Sequence, residues 1–197
     1  IDNLAVSNEM LLHVREASIR LKNLIGDKYS HPFSGARFVV AHNGTLTPKT
    51  GEVPFPKTDT QIFHEILEKE GKNNNKNFVE IFNKAIKNFS GKFAFLVYDK
   101  KFCKFYAVRG ETAELYYVSI SGGYIINTEK ESLIIALNLI RNITNIEFGE
   151  IKELKKNSVF SLSDKVEKIG DTLEEKTIVP EIIYTAYKND ADYIVDF

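Results

Sequence analysis

"FVVAHNGTL", residues 38–46, carries an apolar run into His42-Asn43-Gly44 and then into a short Thr/Leu stretch. Two readings compete there. Asn-Gly directly after a strand is the strongest short-range hairpin signal, because both residues accept positive φ. On that reading "RFVVA" (37–41) is a buried strand that ends at the tripeptide. The other reading is chemical. The side-chain amide of Asn43 and the backbone N–H of Gly44 can converge on one point as the two donors of an oxyanion hole, where losing one donor costs about 2.7–4 kcal/mol of transition-state stabilisation. Glycine at the second position also lets a substrate approach the backbone closely.

Outward from this stretch the chain alternates loops, helices and strands. "GDKYSHPFSGA" (26–36) and "TPKTGEVPFPK" (47–57) are loop-like in their Gly, Pro and Ser punctuation. Residues 4–22 are compatible with strand or helix. Thr58 with Gln61 three positions on fits a capping box, and Asp59 in the first turn suits the helix dipole. Ile62, Phe63, Ile66 and Leu67 then predict an apolar face on a helix to about Glu70. Phe78, Val79, Phe82, Ile86 and Phe89 predict a second helix, ended by Gly91.

"KFAFLVYD" (92–99) is apolar on both faces, as a covered central strand would be, and "FCKFYAVR" (102–109) is its expected hairpin partner. "LYYVSI" and "GYIIN" predict two more strands across "SGG". "KESLIIALNLIR" (130–141) is apolar almost all round, as a helix between layers would be. "NSVFSLSDKVEKIG" (157–170) reads as a terminal hairpin, and periodicity assigns the acidic segment that follows poorly. The sum is an α+β domain with a mainly antiparallel sheet covered by helices. Residues 1–170 are expected to form the domain and 171–197 a C-terminal extension suited to a partner contact.

Composition narrows the function classes. The chain has 197 residues, 43% of them hydrophobic, with 14 Phe and 9 Tyr, enough for a sizeable core. A formal net charge of -1 gives no electrostatic case for nucleic acid or an anionic membrane. "LIIALNLI" (133–140) is too short to span a bilayer. Cys103 is the single cysteine, which excludes an intrachain disulfide and a multi-cysteine metal site and favours a reducing, cytoplasmic setting. It is read as a buried thiol in mid-strand. No Gly-rich phosphate loop and no metal-ligand spacing among the carboxylates is present, so neither metal nor cofactor is expected.

Three polar groups then describe a ligand. Arg15 in "HVREAS" is either a surface arginine or a planar fork for a substrate carboxylate. Asp59 is either a helix-start residue or the partner of an ammonium. With the two donors at Asn43 and Gly44, these groups fit an α-amino acid whose side-chain carbonyl is to be attacked. His13 and His31 read as structural residues, and His64 as a partly buried residue of the first helix.

The order of motifs carries a resemblance. "LLHVREAS", "HPF", "FVVAHNGTL", "TDTQIF", "GKFAFLVYD" and "INTEKESL", across about residues 10–135, resemble the class II glutamine amidotransferase domain, closest to its small stand-alone branch. That resemblance implies an N-terminal-nucleophile hydrolase with a four-layer α-β-β-α sandwich and L-glutamine as substrate. It implies that Arg15 binds the glutamine α-carboxylate with Ser18 adding a hydrogen bond, that Asp59 holds the α-ammonium, and that Asn43 and Gly44 form the oxyanion hole. His13 and His31 would shape the pocket. No role is carried onto "NTE" (127–129). The family's nucleophile is an N-terminal Cys whose own α-amino group is the general base. Twelve residues precede His13 here and the first is Ile1, so the expectation is that the Cys and the first strands lie upstream. The implied function is hydrolysis of the glutamine amide to glutamate and ammonia, with a synthase, another ammonia acceptor or the N-terminal segment as partner. The alternatives are an inactive scaffold of the same type serving as a binding or structural module, or an unrelated α+β domain.

Overall fold

The computed structural model describes residues 26–51, 56–72, 76–120, 123–143, 146–163 and 173–177. A short 3-10 turn at Asp27–Tyr29 leads into strands β1 (Phe33–Ser34) and β2 (Phe38–Pro48). Helices α1 (Asp59–Gly71) and α2 (Phe78–Ile86) follow, then β3 (Phe89–Asp99), β4 (Lys104–Arg109), β5 (Tyr116–Ile120) and β6 (Gly123–Asn127). Helix α3 (Lys130–Ile143) precedes β7 (Lys152–Glu153), β8 (Ser158–Ser163) and β9 (Leu173–Thr177). Six strands form one antiparallel sheet in the order β1-β2-β3-β4-β8-β9, and three form a second in the order β6-β5-β7.

Period-two alternation explains how both faces of the larger sheet come to be apolar. Phe93, Phe95 and Val97 of β3, with Tyr106 and Val108 of β4 and Val159 of β8, pack against Phe63 and Leu67 of α1 and Phe78, Ile81 and Phe82 of α2. The intervening Ala94, Ala107 and Phe160 face the other way and pack with Leu115, Tyr117, Ile126 and Leu154 of the smaller sheet and its flanks. Val118 and Ile125, on the far side of that smaller sheet, meet Leu133 and Leu137 of α3. Rings dominate the first cluster: Phe63 stacks on Phe95 with centroids 4.5 Å apart, and Phe78 on Tyr106 at 3.9 Å. Such aromatic pairs add about 0.5–1.5 kcal/mol each beyond their buried area.

A buried ion pair joins the start of β2 to the end of β3. The guanidinium of Arg37 donates from Nη2 and Nε to Asp99, at 2.7 Å and 3.1 Å, and from Nη1 to the Gly71 carbonyl at 2.8 Å. Glu68 of α1 accepts from the backbone N–H of Phe38 at 2.7 Å and from that of Arg37 at 3.1 Å. The C-terminal half of α1 is thereby fixed to the entry of β2, through the buried guanidinium of Arg37 and the half-buried carboxylate of Glu68.

Several expectations are corrected. The chain does not turn at Asn43-Gly44: β2 runs unbroken from Phe38 to Pro48 and pairs with β3 throughout, Asn43 opposite Ala94 and Gly44 opposite Phe93. The second helix ends at Ile86, and Phe89 and Gly91 already belong to β3. Cys103 is exposed with φ 49 in the β3–β4 turn, because Asp99 ends one strand and the next begins only at Lys104. Helix α3 buries Leu133 and Leu137 against the smaller sheet but leaves Ile135, Leu139 and Ile143 at 61%, 58% and 81% exposure, so it is covered on one side only. The hairpin partner of β8 is Leu173–Thr177, so the first residues of the segment read as an extension add a strand to the sheet. The capping box at Thr58 and the covered central position of β3 stand as read. No helix of the described residues is long and apolar enough to cross a membrane.

Asp99→Ala, which leaves Arg37 buried without its carboxylate, is expected to cost about 3–5 kcal/mol. Replacing both members, Arg37→Met with Asp99→Leu, should cost clearly less. Urea-unfolding midpoints measure both, and equal losses would contradict a buried pair held by mutual compensation.

Candidate functional site

The direction of the backbone groups along β2 defines the site. Odd-numbered residues face β3: Lys100 N–H donates to the Arg37 carbonyl at 2.8 Å, and Lys49 N–H to the Asn88 carbonyl at 2.9 Å. Even-numbered residues face the opposite edge, where the Phe38 carbonyl accepts from Gly35 N–H at 2.9 Å and Leu46 N–H donates to Asp59 Oδ2 at 2.7 Å. Strand β1 pairs only with Val39 and Val40. Past His42, this edge has no paired strand among the described residues. Alternation puts the N–H of Gly44 on it, two positions before Leu46.

Gly44 has φ +136 and Gly91 φ +128, and the two bracket the Thr45–Lys92 pair of the ladder. A Cβ on Gly44 would lie 2.0 Å from the Lys92 carbonyl oxygen, and one on Gly91 would lie 2.1 Å from the Thr45 carbonyl oxygen. Each strand's carbonyl occupies the space that a side chain on the other would need. Asn43 and Gly44 are both solvent-exposed at this distorted point of the strand.

Asp59 is brought to the same edge by the start of α1. Thr58 caps the helix: its hydroxyl accepts from Gln61 N–H at 3.1 Å, and the Gln61 side chain accepts from Thr58 N–H at 2.7 Å. That fixes the first turn and aims the Asp59 carboxylate at β2. Its Oδ1 accepts from Thr60 N–H at 2.8 Å while Oδ2 holds Leu46, so one half-buried carboxylate bridges helix and strand.

Beneath these groups lies His42, whose position in the alternation puts it on the helix-facing side of β2. It is 3% exposed and stacks on Phe95 with centroids 4.5 Å apart. Its Nδ1 lies 2.8 Å from the Thr60 hydroxyl, which in turn lies 3.3 Å from Asp59 Oδ1. His31 is half-buried, with its ring edge-on to Phe33 at 4.8 Å and 6.3 Å from the His42 ring. His64 sits on α1 with Nε2 3.2 Å from the Phe38 carbonyl, partly buried as expected. The chain therefore brings Asn43, Gly44, Asp59 and His31 to one end of β2. His13, Arg15 and Ser18 lie outside the described residues. In "NTE", Asn127 accepts from Glu129 N–H at 3.0 Å and Glu129 from the Ser132 hydroxyl at 2.7 Å, a local arrangement at the start of α3.

Sequence reasoning missed His42 and Thr60 as members of the site. The signal was there: His42 follows Phe38 and Val40 at period two, so an unbroken strand places it on the apolar face. Reading the Asn-Gly pair as a turn hid that continuity.

No family model and no curated protein matches the chain by sequence. Solved structures do match. One is a glutamine phosphoribosylpyrophosphate (PRPP) amidotransferase from B. subtilis, complexed with ADP and GMP, at TM-score 0.59 and 14% identity over 85% of this chain and 34% of that one. Another is described as the allosteric regulatory enzyme of purine biosynthesis, at TM-score 0.56 and 13% identity over 78% of this chain and 32% of that one. The chain spans about a third of the length of these structures. At such identities the likeness is one of fold: a mixed α+β arrangement with antiparallel sheets, similar to that of these structures.

Gly44→Ala should destabilise the chain by more than about 2 kcal/mol, from positive φ and from the clash with a backbone carbonyl. Thr45→Ala, on the exposed neighbour, should stay within about 0.5 kcal/mol. Thermal or urea unfolding of the two variants distinguishes a glycine required by the backbone from a generally sensitive strand.

Proposed function

We propose that this chain is a glutamine amidotransferase-type domain that binds L-glutamine along the open edge of β2. The observation that carries the proposal is the placing of Asp59 and Gly44 on one edge of one strand. Their attachment points, the amides of Leu46 and Gly44, are separated by two residues, about 6.8 Å in an extended strand. Glutamine sets four bonds of about 1.5 Å between its α-nitrogen and its amide carbon, or roughly 5 Å when extended. An ammonium at Asp59 therefore leaves the side-chain carbonyl within reach of the donors at Asn43 and Gly44. Arg15 and Ser18 are assigned to the α-carboxylate, and His13 and His31 to the walls of the pocket, by the sequence resemblance. The four-layer α-β-β-α sandwich belongs to the same proposal. Its support is the succession of three apolar clusters from α1 and α2, through the two sheets, to α3.

The chemistry proposed is hydrolysis of the side-chain amide. A cysteine thiolate, from an N-terminal residue upstream of Ile1, attacks the amide carbon, and the carbonyl oxygen becomes an oxyanion. Asn43 and Gly44 stabilise that charge more strongly than they stabilise the neutral carbonyl, which is what lowers the barrier. The C–N bond breaks, the nitrogen leaves as ammonia with a proton from the cysteine α-ammonium, and a glutamyl thioester remains. Water, deprotonated by the same amine, cleaves the thioester to glutamate. Ammonia then passes to an acceptor handled by a synthase partner or by another part of a longer protein. The shared fold and the ordered motifs support this reading.

Titration calorimetry with L-glutamine tests the binding step on this chain. Glutamine at a hundredfold excess over its Kd should stabilise the fold by about 2.7 kcal/mol. Asp59→Asn and Arg15→Ala, each removing one charge-assisted contact, should weaken binding roughly ten- to a hundredfold. A wild-type chain that neither binds nor is stabilised by glutamine would refute the proposal and favour a structural or binding module.

A further inference from the structure

The contacts of Thr60 dictate how its proton is used. An ionised Asp59 accepts only, and the Thr60 hydroxyl has a single proton to give. Its oxygen lies 3.3 Å from Asp59 Oδ1 and 2.8 Å from His42 Nδ1. Both contacts are attractive at once only if the hydroxyl donates to Asp59 and accepts from a protonated Nδ1 of His42. The reverse arrangement, with the hydroxyl donating to a bare Nδ1, would set two acceptor oxygens against each other at the carboxylate.

From this we propose that His42 and Thr60 are positioning residues that set the orientation of the Asp59 carboxylate toward a ligand's ammonium. A donor chain runs from imidazole to hydroxyl to carboxylate. His42 anchors it rigidly, being buried and stacked on Phe95. The amide of Leu46 fixes the other oxygen, Oδ2. With one oxygen fixed by the strand and the other by the chain through Thr60, the carboxylate plane is held and its outward side faces solvent. The same histidine also abuts the oxyanion segment, since its Nε2 lies 3.0 Å from where a Cβ on Gly44 would stand. One buried ring thus spans the ammonium-binding group and the glycine at the proposed oxyanion hole. A Cβ at 44 would crowd the ring as well as the Lys92 carbonyl. The inference rests on the glutamine reading above and adds to it the groups that register the two ends of the ligand.

Two measurements on the intact chain test it. The first needs no ligand: the 15N shifts of the His42 ring in the wild type. Neutral His42 should be the Nδ1–H tautomer, and Thr60→Val should abolish that preference. A wild-type ring protonated at Nε2 alone would overturn the donor chain.

The second compares L-glutamine with glutaramate, which is glutamine without its α-ammonium, by calorimetry. The wild type should prefer glutamine. Thr60→Val should reduce that preference by at least about fivefold, and Thr60→Ser, which returns the hydroxyl, should restore it. A merely structural role would weaken both ligands alike, so an unchanged ratio in Thr60→Val beside a selective wild type would overturn the positioning role and leave the glutamine reading standing. A wild type that binds neither ligand would remove both.

Discussion

Asp59 uses one oxygen on the amide of Leu46 and the other on the amide of Thr60, at 2.7 Å and 2.8 Å. Strand β2 and helix α1 meet through that carboxylate at one end, while Glu68 and the hydrogen bond from Arg37 to the Gly71 carbonyl join them at the other. The helix therefore cannot slide along the strand without breaking charge-assisted hydrogen bonds at both ends, in an environment where unpaired groups are costly. Everything proposed about the site depends on this register. It brings an acid, an Asn-Gly pair and a buried imidazole within a few residues of one strand edge.

The aromatic cluster supplies the rigidity that such a site needs. His42 stacks on Phe95, Phe95 on Phe63 of α1, and Phe82 of α2 packs edge-on to Phe95 at 5.5 Å. A side chain on the β2–β3 ladder is therefore in contact with both helices through rings, which pack with little conformational freedom. Polar groups at the strand edge rest on a layer that has no cheap way to rearrange.

Much of this was legible in the sequence because its causes are local. Thr58 and Gln61 announce their helix by a reciprocal cap, and β3 is apolar on both faces because both are covered. Asn43, Gly44 and Asp59, the residues proposed for the site, are singled out by their chemistry, and β2 and the start of α1 bring them to one strand edge. What misled was also local. Asn43-Gly44 has the composition of a turn, but its glycine serves a distortion inside a long strand, matched by Gly91 across the ladder. That match is a non-local fact, and no window of sequence contains both residues in register. Cys103 was placed in a strand for the same reason: the strand boundary is set by Asp99 binding Arg37, 62 positions earlier in the chain. The partner of β8, Leu173–Thr177, likewise lies in the segment that periodicity assigns poorly, beyond the 157–170 read as a hairpin.

Amide proton and nitrogen shifts recorded during an L-glutamine titration test the proposed glutamine-binding edge most directly. Saturable shifts are expected at Gly44, Leu46 and Thr60, whose amides lie at or next to the two proposed contact points, and they should be absent with glutaramate at Leu46 and Thr60. No saturable shift at these three amides, or shifts confined to another face of the sheet, would contradict the assignment of β2 and α1 as the glutamine site.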